Sequence, residues 1–272
     1  MIPGLLYSSQ SDAADESEVL HPEGFGLRKA ALVSIFAGFV CLSGLGIPVP
    51  GQEPGGFGGD WSYGVSGTYS PDSSHILIGD SEQRQIWTLG AEYSHVLRKG
   101  PRFRFDYEAS VMPVWEERDP TVTGTEFFVS GQVIVTPQTP VRVVNITHLP
   151  VGNILTGNGS FAPVYALFGT ENTYAAAITP LGARVSAMPR WRVQPTFAID
   201  LGFVFSSRDI PIDDAAQFNF MFAMGPGIQF YSDAHTSWRV EYVYRHASNA
   251  GLGDQNPGID QGVVRVTVSR HR

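Results

Sequence analysis

The sequence predicts an all-β protein, an eight-stranded antiparallel transmembrane β-barrel with short periplasmic turns and long outer loops. Three observations predict it. From residue 61 onward, strand-length segments rich in aromatic and β-branched residues are bounded by clusters of Gly, Pro, Asp and Ser. The links between them are alternately long and short, the asymmetry of outer-membrane barrels. Beyond residue 51 no apolar run reaches the length of about 18 residues that a membrane-crossing helix needs.

The expected strands are 61–70, 84–97, 103–117, 174–188, 192–206, 217–232, 237–249 and 262–271. The links "RKGPR", "PRW" and "DAHT" are short, whereas "PDSSHILIGDSEQ", "SSRDIPIDDAA" and "AGLGDQNPGID" are long. In "RFRFDYEAS", Phe103, Phe105 and Tyr107 share one face, and Arg104, Asp106 and Glu108 share the other. Phe218, Phe220 and Phe222 alternate with Gln217 and Asn219, and Val193, Phe197, Ile199, Leu201, Phe203 and Phe205 leave Asp200 on the opposite side. A soluble sandwich or lipocalin-like barrel also alternates, but a small membrane barrel turns its apolar face to lipid and packs paired charges inside, as these carboxylates and arginines require. Segment 118–173 is too long for an ordinary loop. Within it "TEFFVSGQVIVTP" and "TPVRVVNITHLPV" read as strands, and "FAPVYALFG" as a short helix.

Composition narrows the function. The chain has 272 residues, 43% apolar, with a formal net charge of -8 and no cluster of Lys and Arg, so it lacks the counterion-replacing surface of a nucleic-acid binder. Residues 27–51 follow the order of a signal peptide: Arg28 and Lys29, an apolar core to about Gly46, then a small, Pro-rich stretch. A retained membrane anchor is the competing reading. The acidic residues 1–26 precede the positive region and read as an extension, the product of a mis-called start; residues 52–272 are then the mature barrel. The only cysteine, Cys41, lies in the apolar core. Neither a disulfide nor a thiolate metal site is therefore expected in the mature chain. His21, His75, His95, His148, His235 and His271 are scattered without ligand spacing, so no metal or cofactor is expected.

The chemistry gathers in "VEYVYRHASNAGLGDQNPGID". Trp238, Val240, Tyr242, Tyr244, His246 and Ser248 share one parity, so the face that meets lipid ends in a base and a nucleophile. Asp260 has the parity of Val264, Val266 and Val268 and turns the same way if the hairpin register allows. Serine, imidazole and a carboxylate that orients the imidazole are what ester cleavage needs. Alone, His-x-Ser in a strand is a weak signal. Bare polar groups on a lipid-facing stripe strengthen it, because they are costly there unless interfacial or functional. Arg245, of opposite parity, is expected inside the barrel as an ion-pair partner.

"YRHASNAGLGDQNPGID" resembles the active-site hairpin of the lipid A 3-O-deacylase (PagL-type) family, also labelled acyloxyacyl hydrolases, and "ITPLGARVSAMPRWRVQPTFAIDLGFVF" is similar to its middle segment. The resemblance implies an outer-membrane serine esterase that removes an ester-linked acyl chain from lipid A of lipopolysaccharide. It implies His246 as base, Ser248 as nucleophile, Asn249 beside them, and Gly251 N–H and the Asn256 side chain as oxyanion donors. The family's acid is Glu, and Asp260 stands at that position, one methylene shorter. Trp238, Tyr242, Tyr244 and Asn249 are the candidate substrate contacts, and lipopolysaccharide and outer-membrane lipid the expected partners; a homodimer of barrels is left open. The alternative is a non-catalytic outer-membrane barrel with a structural or binding role.

Overall fold

The computed structural model describes residues 57–130, 132–146, 150–157 and 159–272. The proposed extension, signal segment and Cys41 lie outside the described residues. Ten strands follow in order: β1 Trp61–Ser70, β2 Gln85–Lys99, β3 Phe103–Val129, β4 Gln132–Arg142, β5 Gly152–Leu155, β6 Phe161–Ala187, β7 Val193–Ile210, β8 Ala216–Tyr231, β9 Thr236–Ser248 and β10 Ile259–His271. Eight of them, β1, β2, β3, β6, β7, β8, β9 and β10, pair with antiparallel neighbours in a closed ring, sealed by β1 on β10 and by β3 on β6. Closure leaves these strands no free edge, which membrane depth demands.

The remaining two strands belong to the long insertion and correct its expected layout. The strand expected at 103–117 continues to Val129, and the one expected to begin at 174 begins at Phe161. Residues 161–169, expected as a helix, are strand, paired with Thr121–Phe127 of β3 and in part with β5. The physical reason is that a partner strand was in reach: β3 and β6, already paired at the barrel wall, simply extend their ladder past it. Pro120 sits within the ladder, and a register shift between Val122 and Gly124 absorbs the irregularity. β4 returns along β3 as a hairpin, exposed on both faces.

Faces follow the alternation. Phe103, Phe105, Val193, Ile199, Leu201, Phe205 and Phe220 are exposed on the outer wall, while Arg104, Asp106, Glu108 and Asp200 are buried within. The interior is a chain of alternating charges. Arg184 bridges Asp106 (3.1 Å) and Glu108 (2.6 Å), Arg239 bridges Glu108 (3.0 Å), Glu92 (2.5 Å) and Glu241 (3.0 Å), and Arg265 bridges Glu241 (2.6 Å) and Asp200 (2.7 Å). Among the described residues Arg245 forms no ion pair, which corrects the expectation of an interior ion-pair partner. Its guanidinium lies 5.0 Å from the Trp115 ring centroid and donates to Thr68 Oγ1 (3.4 Å), because the nearest wall offers an aromatic face rather than a carboxylate.

At the long-loop end, buried Arg84 donates to Asp119 (3.1 Å) and to the carbonyls of Glu82, Val143, Val144 and Pro211. It thereby ties the β1–β2 loop to the insertion and to the β7–β8 loop. Close strand contact also needs glycine at Gly225, where an added Cβ would lie 2.1 Å from the Tyr242 carbonyl oxygen. Gly225→Ala is expected to destabilise the detergent-folded barrel by about 1–3 kcal/mol, read as a lower urea midpoint.

Candidate active site

The β9–β10 register decides whether the hairpin residues meet. Asp260 pairs directly with His246 across the two strands. Side chains opposite one another start about 5 Å apart at Cβ, a gap that a short carboxylate spans without help. Asp260 Oδ1 accordingly lies 2.7 Å from His246 Nδ1. The missing methylene therefore needs no strand shift.

Three further donors reach the same carboxylate. Tyr244 Oη donates to Oδ1 (2.8 Å), and the backbone N–H groups of Leu77 and Ile78 donate to Oδ2 (2.7 and 2.9 Å). Only an ionised carboxylate accepts from all of them. As an acceptor-only group it also assigns the imidazole tautomer, with the proton on Nδ1 and the Nε2 lone pair free for a hydroxyl.

Leu77 and Ile78 come from the long β1–β2 loop, a plain connector by sequence. The loop is fastened to the hairpin by backbone bonds, Ser74 N to Asp260 O (3.1 Å), Asp80 N to Pro257 O (2.6 Å) and Ser81 N to Gly258 O (3.1 Å). Gly79 and Gly258 allow the approach. An added Cβ would meet Asp260 N at 2.6 Å in the first case and His246 Cε1 at 3.0 Å in the second, where φ is +63°. No side-chain pattern marks a pair of backbone donors; the only local hint is the Gly at the end of "HILIG".

The outward stripe of β9 divides along its length. Trp238, Val240 and Tyr242 are exposed, but Tyr244 and His246 are only 5% and 7% exposed, covered by the Phe222 ring, whose centroid lies 5.5 and 5.6 Å from theirs. The sequence expectation of a bare polar pair facing lipid is thus modified: the base is sheltered, and Ser248, two residues on, is half-buried. Trp238 lies eight residues along the strand from His246, roughly 26 Å away, at the short-turn rim. That distance separates it from the reacting groups.

His246 and Ser248 line one end of an apolar groove of about 440 Å³ on the outer wall, whose other walls include Leu181, Leu201, Phe203, Phe220 and Phe222. The β9–β10 loop supplies the remaining candidates. Asn249 is buried and organises the loop: its Oδ1 accepts from Gly251 N–H (2.8 Å), its Nδ2 donates to Gln255 O (2.7 Å), and its backbone N–H donates to Asn256 Oδ1 (3.1 Å). Gly251, at φ +81°, therefore gives its N–H to the loop in this arrangement. Asn256 is exposed with its carbonyl end engaged, which leaves its NH₂ as the end available to donate.

Residues 156–269 match the model of the family described as lipid A 3-O-deacylase (PagL). That span contains every residue of the hairpin site and starts within the insertion. No curated protein matches. Among solved structures, the outer membrane enzyme PagL is 11% identical with a TM-score of 0.45, covering 75% of this chain and 97% of its own. Neisserial surface protein A is 11% identical with a TM-score of 0.38 over 78% and 97%. The outer membrane protein OprG from Pseudomonas aeruginosa is 10% identical with a TM-score of 0.39 over 79% and 97%. The closed antiparallel ring, its apolar outer wall and the family match make this chain an outer-membrane β-barrel of bacteria.

Proposed function

From the likeness of residues 156–269 to lipid A 3-O-deacylases, we propose that this barrel is a serine esterase that removes an ester-linked acyl chain from lipid A in the outer membrane. The observation that carries the reading is the 2.7 Å contact of His246 Nδ1 with Asp260 at the mouth of an apolar groove that Ser248 also lines. A base held by a carboxylate, lining the same apolar groove as a hydroxyl, suits an ester whose acyl part is a hydrocarbon chain.

In the proposed reaction the Ser248 oxygen attacks the ester carbonyl as His246 Nε2 takes its proton. The tetrahedral oxyanion is met by the Asn256 NH₂, and by Gly251 N–H once it turns from Asn249 to the substrate. Collapse breaks the bond to the sugar oxygen, which leaves with the proton from His246. Water, deprotonated by the same nitrogen, then cleaves the acyl-serine and releases a fatty acid. No cofactor enters this scheme.

The competing reading, a barrel without catalysis, draws on the Gly251 N–H being satisfied within the loop. Mass spectrometry of lipid A after incubation with the detergent-folded chain separates the two. Loss of one acyl mass with the parent and none with Ser248→Ala is the expected result. An unchanged lipid A from a correctly folded parent, including lipid A of the native host, overturns the esterase.

A further inference from the structure

We propose that Tyr244 and the β1–β2 loop are positioning groups for this reaction: together they hold Asp260 in the one orientation from which a short carboxylate serves His246. The inference rests on the esterase reading and deepens it. Tyr244 is two residues before His246 on the same face of β9, so its hydroxyl and the His246 ring reach the same oxygen, at 2.8 and 2.7 Å. The other oxygen is taken by Leu77 N–H and Ile78 N–H. A free Asp side chain turns about two bonds and loses its partner in most rotamers. Donors on both oxygens leave a single setting in which the carboxylate accepts from every donor, and that setting points Oδ1 at the imidazole.

The two holds come from different places. Tyr244 is itself kept in place by the edge of Phe222, with centroids 5.5 Å apart. The loop is kept in place by backbone bonds to residues 257, 258 and 260. The cradle is filled by an aspartate. A Cβ on Gly79 would lie 2.8 Å from Asp260 Oδ1, so the space that a longer acid needs is already occupied by the loop backbone. Asp260→Glu, although it restores the acid usual in the resembled family, is therefore expected to lower kcat.

The test is a double-mutant cycle on the detergent-folded full chain, using lipid A and a p-nitrophenyl ester of a medium-chain fatty acid. Tyr244→Phe keeps the ring against Phe222 and removes only the hydroxyl. It is expected to lower kcat about tenfold or more with KM little changed. In the Asp260→Asn background the same substitution should cost almost nothing, because the oriented group is already gone. Gly79→Ala, which pushes the loop from the carboxylate, should show the same coupling.

A purely packing role predicts equal losses in both backgrounds, and that result overturns the proposal. A second readout needs no turnover: the downfield Nδ1–H proton resonance of His246 should move on Tyr244→Phe and vanish on Asp260→Asn. If it stays in place on Tyr244→Phe, the positioning role is wrong. If it moves while neither ester is cleaved by any variant, the positioning stands and the esterase reading falls.

Discussion

Ser248→Ala and His246→Ala should each lower the rate of acyl release by about 10³-fold or more, and the double substitution should cost no more than either alone. The reasoning lies in how the groups act. In the proposed scheme the Ser248 hydroxyl is a poor nucleophile until His246 removes its proton, and every later task of the imidazole runs through the acyl-serine that Ser248 forms. Once one is lost the other contributes nothing, so the free-energy effects cannot add. What remains is binding in the groove and any polarisation of the carbonyl by Asn256. The measurement is the time course of fatty-acid release by mass spectrometry for the four chains, each checked for its heat-modifiable gel mobility. Losses that multiply would mean that the two residues act separately, and the shared mechanism would be wrong.

The largest effect on stability is expected at Arg239. Its guanidinium sits between Glu92, Glu108 and Glu241 and is 3% exposed. Arg239→Met fits the space but leaves three carboxylates around a neutral side chain. Breaking a buried pair from one side costs about 3–5 kcal/mol, far more than the pair adds over an apolar filling. The folded barrel should therefore convert to the unfolded gel species at a distinctly lower temperature than the parent. Arg270→Ala serves as the control. Arg270 is exposed at the short-turn rim, where it donates to Thr236 Oγ1 (2.7 Å), and its loss should change little. Equal behaviour of the two variants would show that the interior charges rearrange freely.

Much of this architecture was legible in the chain because lipid and the packed interior impose opposite demands on alternate residues. Phe103, Phe105 and Tyr107 alternate with Arg104, Asp106 and Glu108, and the interior ion pairs of those charges are what a small barrel's packed lumen requires. The insertion was harder to read. β4 is exposed along nearly its whole length and "FAPVYALFG" carries no alternation to separate strand from helix; its pairing with β3 decides the matter.

The same division runs through the site. His246, Ser248 and Asp260 stand within one hairpin, where parity places them toward one face and the family resemblance implies their roles. Leu77 and Ile78 act through backbone N–H groups and reach Asp260 from positions 183 and 182 residues away in sequence, so no side chain announced them. Arg245 was expected to seek a carboxylate, but which residue faces it depends on barrel closure, which brought Trp115 there instead.

The distance in sequence between the β1–β2 loop and Asp260 also gives the site a built-in order of assembly. The β9–β10 hairpin is local and can bring His246 and Asp260 side by side early. The brace on Oδ2 arrives only when the first strand of the barrel closes on the last, since β1 pairs with β10 and carries the loop with it. Without that pairing the Leu77 and Ile78 N–H groups would not be held at Asp260 Oδ2. On the proposed reading, closure of the ring is thus what completes the hold on the carboxylate, because the strand that seals the barrel carries the loop that braces the site.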